Sequence, residues 1–244
     1  MPIVEAKMST GKWSALVTAV RWGLVIRNVA EAVDRPTVPK HEITPLDVEQ
    51  AKKFLEAAES DRLHSLYVLA LTTGCRQGEL FGLEWSDIDL KAGTLMVRRT
   101  LVELSGKITT NEPKTAKGRR LIELPGMAVE SLWQHKAKLM VEGLASCPFV
   151  FPDSEGNHLR RQNVLRRSFQ PILKRTGLKD VRFHDLRHSS ATLLLSAGVH
   201  PKVVQERLGH SQIGVTMDTY SHVLPTMQRE ASGKLDGLLR KAIC

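Results

Sequence analysis

The sequence predicts an α+β fold, mainly α-helical, with one small three-stranded antiparallel sheet. Two patterns predict it. Apolar residues recur at helical spacing through most of the chain, while residues 94–124 switch to β-branched residues broken by turn signals. The length of 244 residues, 42% of them hydrophobic and 25% charged, allows one large domain with a substantial core, or one domain plus a fragment.

Ser14 to Val33 reads as a helix with Leu16, Val17, Val20, Leu24 and Val25 as its apolar positions. The following Asp34-Arg35-Pro36-Thr37-Val38-Pro39-Lys40 reads as a linker. A lone helix cannot bury its own apolar face. Residues 1–40 are therefore expected to be the end of a helical domain plus a linker, and 41–244 the main domain. Thr44, with Pro45 at the first helical position, opens a helix to Ala58. An apolar helix, His64 to Thr73, ends at Gly74, and Trp85-Ser86-Asp87 closes this helical stretch. Thr94–Leu104, Lys107–Thr110 and Arg119–Leu124 are the three expected strands, with Ser105-Gly106 as a turn. Helix resumes at Pro125-Gly126. Phe149-Val150-Phe151-Pro152 is a buried kink, and Asn163 to Arg175 is a basic helix ahead of Gly177. His184–Ala197, Pro201–Leu208, Val215–Tyr220 and Pro225–Lys241 are the remaining expected helices.

Lys and Arg number 35 against 26 Asp and Glu, a net charge of +9. That balance favours a polyanionic partner, most commonly nucleic acid, although a merely basic soluble enzyme has it too. Cys75, Cys147 and Cys244 are odd in number and far apart. They argue against a disulfide framework or a structural zinc site and fit a reducing cytoplasm. No apolar run is long enough to span a bilayer, and a basic-then-apolar leader is lacking. The expected protein is cytoplasmic, with no membrane partner.

The residues that carry chemistry are spread along the chain. His184, Arg187 and His188 share one helical face, and a cationic cluster at a helix N-terminus suits an anion. Histidines four apart can also bind zinc. The Glu of the H-E-x-x-H pattern is missing, however, and Arg187 would set a positive charge beside the metal. Arg76 and Glu79, three apart, read either as a weak surface pair or as a buried arginine oriented by its carboxylate. The apolar surroundings favour the second reading. His210 follows Gly209 at a helix end, and Tyr220 lies ten residues on; a lone tyrosine is more often a packing residue.

Phosphoryl transfer would unite these groups. Two arginines can bind the non-bridging oxygens of a phosphodiester, an imidazole can add a hydrogen bond, and a phenol can attack. Positive charge lowers the phenol pKa, and a held lysine can protonate the leaving oxygen. The scheme needs no metal or cofactor.

The stretches Thr73-Gly74-Cys75-Arg76-Gln77-Gly78-Glu79-Leu80, His184-Asp185-Leu186-Arg187-His188, Leu208-Gly209-His210 and Asp218-Thr219-Tyr220-Ser221-His222 occur in this order. Through them residues 42–225 resemble the tyrosine recombinases, or phage integrases, and residues 12–40 resemble the end of the core-binding domain that precedes the catalytic domain in that family. The resemblance implies a site-specific recombinase that cleaves and rejoins double-stranded DNA through a 3′-phosphotyrosyl intermediate, without metal or ATP. Arg76 and Arg187 would be the catalytic arginines, His184 and His210 the histidines, Tyr220 the nucleophile and Glu79 the supporting acid. Lys114 is the best match to the family's general acid, with Lys117 as its alternative. His188 is expected to be structural, and His222 to pack. The family further implies a homotetramer on DNA coupled through the C-terminal helix, accessory DNA-bending proteins, and a clamp of which this chain holds only part. Weak, salt-dependent DNA affinity follows from that.

Three rival readings remain at this point. Ser196–Gly209 looks like a helix-turn-helix, which suggests a non-catalytic DNA-binding protein. A relaxing enzyme of the type IB topoisomerase kind would share the chemistry without the site preference. A metal-dependent nuclease would lose its activity to a chelator.

Overall fold

The computed structural model describes residues 10–32, 44–104, 106–111, 118–210, 213–214, 232–233 and 235–236. The chain divides into two compact units, Met1–Glu42 and Ile43–Cys244. The first holds helix α1 (Thr10–Arg21) and a 3-10 turn, Val29–Ala32. The helix stops well short of the expected Val33. Gly23 takes the left-handed conformation, φ 71°, and the Leu24 N–H reaches back to the Ala19 carbonyl, a C-terminal cap that ends the helix.

The second unit is built around α3 (His64–Thr73), whose residues are buried on nearly every side. A helix apolar all round belongs inside a core rather than on a surface. α2 (Val48–Ala58), α5 (Gly126–Val141) and α8 (Phe183–Ser196) pack around it. α2 starts later than Pro45 suggests, because the Asp47 carboxylate caps the Gln50 N–H at 2.8 Å and the Gln50 side chain returns to the Asp47 N–H at 3.1 Å. Phe54, Tyr67, Phe169 and Phe183 meet with ring centroids 5.3–6.2 Å apart. Phe81 of α4 (Gln77–Phe81) lies 6.0 Å from Phe183. This aromatic cluster fixes the first turn of α8 against α3 and α4.

A three-stranded antiparallel sheet is present, but its members differ from those expected. Its order is β1 (Ile88–Asp89), β2 (Thr94–Val97), β5 (Arg120–Glu123), while β3 (Thr100–Leu104) and β4 (Lys107–Asn111) form a separate hairpin. The expected strand Thr94–Leu104 breaks at Arg98-Arg99. Arg99 bonds the buried Asp87 carboxylate at 2.7 Å and Glu84 at 2.9 Å, and Arg98 lies 3.6 Å from Asp87. Bringing both guanidiniums to these carboxylates turns the backbone out of the ladder. In β5 alternate residues face inward, Arg120 and Ile122, paired with Val97 and Leu95.

The basic helix runs as α6 (Arg161–Val164), a π turn (Leu165–Phe169) and α7 (Gln170–Thr176). Pro171 lacks an N–H, and its ring would crowd the Arg167 carbonyl; the wider turn ahead of it relieves both. α9 (Pro201–Leu208) follows α8 through a short turn. The expected helix Val215–Tyr220 lies outside the described residues. Of Pro225–Lys241 only 232–233 and 235–236 are described, and these are helical. Among the described residues no helix is long and apolar enough to cross a membrane.

Candidate active site

Two helix ends converge on one guanidinium. Arg187, 3% exposed on α8, donates from Nη1 to the Gly74 carbonyl at 2.7 Å and from Nη2 to the Leu208 carbonyl at 2.9 Å. Gly74 caps α3 and Leu208 ends α9, so both acceptors are C-terminal carbonyls that the helices leave unpaired and partly negative. Through these two bonds Arg187 joins the chain just before Arg76 to the chain just before His210. The Gly74 turn needs glycine: its φ is 64°, and a Cβ there would lie 2.5 Å from Leu208 Cδ2.

Arg187 has no bonded carboxylate among the described residues. Burial, and then the charge of Arg76, lower its pKa to about 10. It is a buried cation steadied by dipoles rather than neutralised, as an anion-binding group should be.

Arg76 is the N-cap of α4. Its Nη1 bonds Glu79 Oε1 at 2.8 Å, its backbone N–H bonds Oε2 at 2.8 Å, and its side chain stays 43% exposed. Glu79 itself is buried and also takes a two-pronged bond from Arg120: Nη2 to Oε2 at 2.8 Å and Nη1 to Oε1 at 3.1 Å. Burial alone would raise the Glu79 pKa, but the Arg120 bonds and charge outweigh it and hold the carboxyl at about 2. Arg120, 8% exposed, also donates from Nε to the Arg207 carbonyl at 2.7 Å. Sequence reasoning missed Arg120. The available signal was parity: in Arg120-Leu121-Ile122-Glu123 an arginine shares the inward face with Ile122, where a charge needs a buried partner.

His184 is exposed near the start of α8, and its ring meets that of His188 edge-on at 4.9 Å. Shielding from solvent, then Arg187, lowers the His184 pKa. His188 is lowered to about 4 by burial and then His184. His210 is also lowered to about 4, by burial and then the charges of Arg187 and Arg76. At neutral pH His188 and His210 are therefore uncharged. The His210 backbone is fixed by exchange with Gln205: its N–H bonds the Gln205 carbonyl at 3.1 Å, and its carbonyl accepts from Gln205 Nε2 at 3.1 Å.

The structure thus gathers Arg76, Glu79, His184, Arg187 and His210 around one cationic surface. Lys114, Lys117, Tyr220 and His222 lie outside the described residues. The described residues contain no group of three or more His, Cys, Asp or Glu able to hold a metal ion.

The family model described as the phage integrase family matches residues 44–227, most of the chain. The chain belongs to the phage integrase family. Its similarity to a tyrosine recombinase XerC-like protein of Caldanaerobacter subterraneus subsp. tengcongensis is 36% identity over 215 residues, covering 81% of this chain and 55% of the relative. The ICEBs1 integrase of Bacillus subtilis is 29% identical over 232 residues, covering 91% of this chain and 62% of the relative. The chain therefore spans little more than half the length of these relatives. Among solved structures, the Tn1549 transposon integrase bound to a circular intermediate DNA is similar in fold. It has a TM-score of 0.68 and 24% identity, covering 92% of this chain and 81% of that one. The XerA recombinase has a TM-score of 0.64 and 23% identity, covering 93% and 78%.

This phage integrase family chain has two tyrosines. Tyr67 is fully buried on α3, hydrogen-bonded to Ser168, and burial raises its pKa. A phenol so placed cannot reach a substrate.

Proposed function

We propose that this chain carries the catalytic part of a site-specific DNA recombinase, residues 41–244, preceded in 1–40 by the end of a core-binding domain. The substrate is a phosphodiester of double-stranded DNA. Arg76 and Arg187 take its non-bridging oxygens, and His184 and His210 add hydrogen bonds. The Tyr220 hydroxyl attacks phosphorus: the Tyr220 Oη–P bond forms, the bond from phosphorus to the 5′-oxygen breaks, and a neutral imidazole takes the phenol proton. Lys114, with Lys117 as the alternative, protonates the departing 5′-oxygen. One phosphate ester replaces another, so the reverse attack by a 5′-hydroxyl rejoins the strand without ATP. The working assembly is a tetramer on DNA, coupled through the C-terminal helix and helped by accessory DNA-bending proteins. Its place is the cytoplasm, on the nucleoid when bound.

The observation that carries this reading is Arg187: a buried cation, bonded to no carboxylate among the described residues, that ties the Arg76 turn to the His210 turn. Such a group is suited to an anion that gains charge in the transition state. Family membership and the buried Tyr67 support it.

A random-sequence library of nicked duplexes, captured under denaturing conditions, tests the proposal. The native chain should yield a covalent adduct at the nicked strand, and Tyr220→Phe should yield none. Adducts that persist with Tyr220→Phe, or no adduct from the whole library, would reject it. Adducts with no sequence preference would instead favour the topoisomerase kind of enzyme.

A further inference from the structure

Arg120 is a third buried arginine in this neighbourhood, and its contacts exceed what a packing residue requires. Its fork covers both oxygens of Glu79, at 2.8 and 3.1 Å, while Arg76 approaches the same two oxygens from its own side chain and backbone, both at 2.8 Å. One carboxylate thus serves two arginines. By itself, Arg76–Glu79 is an i,i+3 pair with a 43%-exposed guanidinium, the kind of pair that fluctuates in water. The planar Arg120 fork fixes the carboxylate plane and so the direction from which Arg76 can bond it.

The charge balance points the same way. If Glu79 paired with Arg76 alone, it would cancel the charge needed at the substrate. Shared with Arg120, it leaves the Arg76, Glu79, Arg120 and Arg187 group with three cations and one anion. Arg120 also underlies the other side of the site. Its Nε holds the Arg207 carbonyl at 2.7 Å, and a Cβ on Gly209 would lie 3.0 Å from its Nη1, so the turn ahead of His210 rests on this guanidinium.

We infer that Arg120 is a positioning residue that, through Glu79 and the Arg207–Gly209 turn, sets the orientation of Arg76 and His210 toward the scissile phosphate. The inference rests on the proposed roles of Arg76 and His210. Lysine at this position keeps the charge but cannot span both carboxylate oxygens.

The test compares the full native chain with Arg120→Lys and with the double variant Glu79→Gln/Arg120→Met, which leaves no carboxylate or Arg120 cation buried there. Two readouts are taken: single-turnover adduct formation at saturating nicked duplex recovered from the library, and the side-chain NMR signal of Arg76, which reports restricted rotation of its guanidinium. We expect Arg120→Lys to slow the chemical step by about 10²-fold with duplex Kd nearly unchanged, the signature of a misplaced catalytic group. The Arg76 signal should show faster rotation. The double variant should fold and be slowed comparably. If either folded variant keeps the native rate and the native Arg76 signal, the inference is overturned. A native chain that forms no adduct, with Arg76 rotation still released in the variants, would reject the recombinase reading while upholding the positioning of Arg76 by Arg120.

Discussion

Arg120 and Arg187 are both buried, and both bond a carbonyl of the Arg207-Leu208 stretch, yet their environments are opposite. Arg120 faces a carboxylate, and the Glu79 bonds overcome burial to raise its pKa. Among the described residues Arg187 bonds the C-terminal carbonyls of two helices, and burial, then the charge of Arg76, lowers its pKa to about 10. The first is a completed ion pair that holds elements together. The second is a cation bonded to carbonyl dipoles, which is the arrangement proposed above for the phosphate site. Burial of an arginine therefore does not distinguish structure from function; the identity of its acceptors does.

That contrast predicts a separation of effects. Glu79→Leu strands Arg120 and should cost about 3–5 kcal/mol of stability in denaturant unfolding. Arg187→Met leaves two carbonyls unpaired but also removes a poorly compensated charge, so its cost should be smaller, about 1–3 kcal/mol. If Arg187→Met proved the more destabilising of the two, the contrast would be lost.

In catalysis the order should reverse in cause. Arg187→Lys, which keeps a cation but not the two-pronged geometry, should lower the adduct-forming rate by about 10²–10³-fold while the protein stays folded. A loss under threefold would deny Arg187 its phosphate role.

Acid sharpens the comparison further. The folded Glu79 pKa of about 2 lies below its ordinary 4.5, so its contribution is complete above about pH 4.5 and lost as pH falls toward 2. The shift corresponds to on the order of 3 kcal/mol. His188 and His210 act over a higher window. Both are depressed from 6.5 to about 4, so the unfolded chain binds more protons between those values, and stability falls as pH drops from about 6.5 to 4. His188→Gln should flatten part of that slope, as followed by thermal unfolding against pH.

The smallest effect belongs to an exposed pair. Lys52→Ala, which removes the 4.0 Å contact with Glu56, should change stability by less than about 0.5 kcal/mol. A change as large as that of Glu79→Leu would show that exposure is no guide here.

Much of this was legible in the sequence because it is local. The span of α3 follows from an unbroken apolar run closed by Gly74, and α9 from Pro201 and Gly209 at its two ends. Arg76, Glu79, His184, Arg187 and His210 were recognisable because their spacings place pairs on single helix faces or at helix ends. The end of α1 and the division of Thr94–Leu104 were misread for a shared reason. A left-handed glycine and two arginines drawn to Asp87 and Glu84 outweighed the local pattern.

Local patterns along the chain carry the family, the mainly helical α+β class and the set of arginines and histidines. Which charges cancel follows from the fold. Neutralisation depends on carboxylates and carbonyls that are distant in sequence: Glu79 meets Arg120 across 41 positions, and Arg187 meets Gly74 across 113. Coulomb and hydrogen-bond energies depend on ångströms of space rather than on chain separation. The fold, not the spacing of residues, therefore paired Arg120 with a carboxylate and Arg187 with carbonyls.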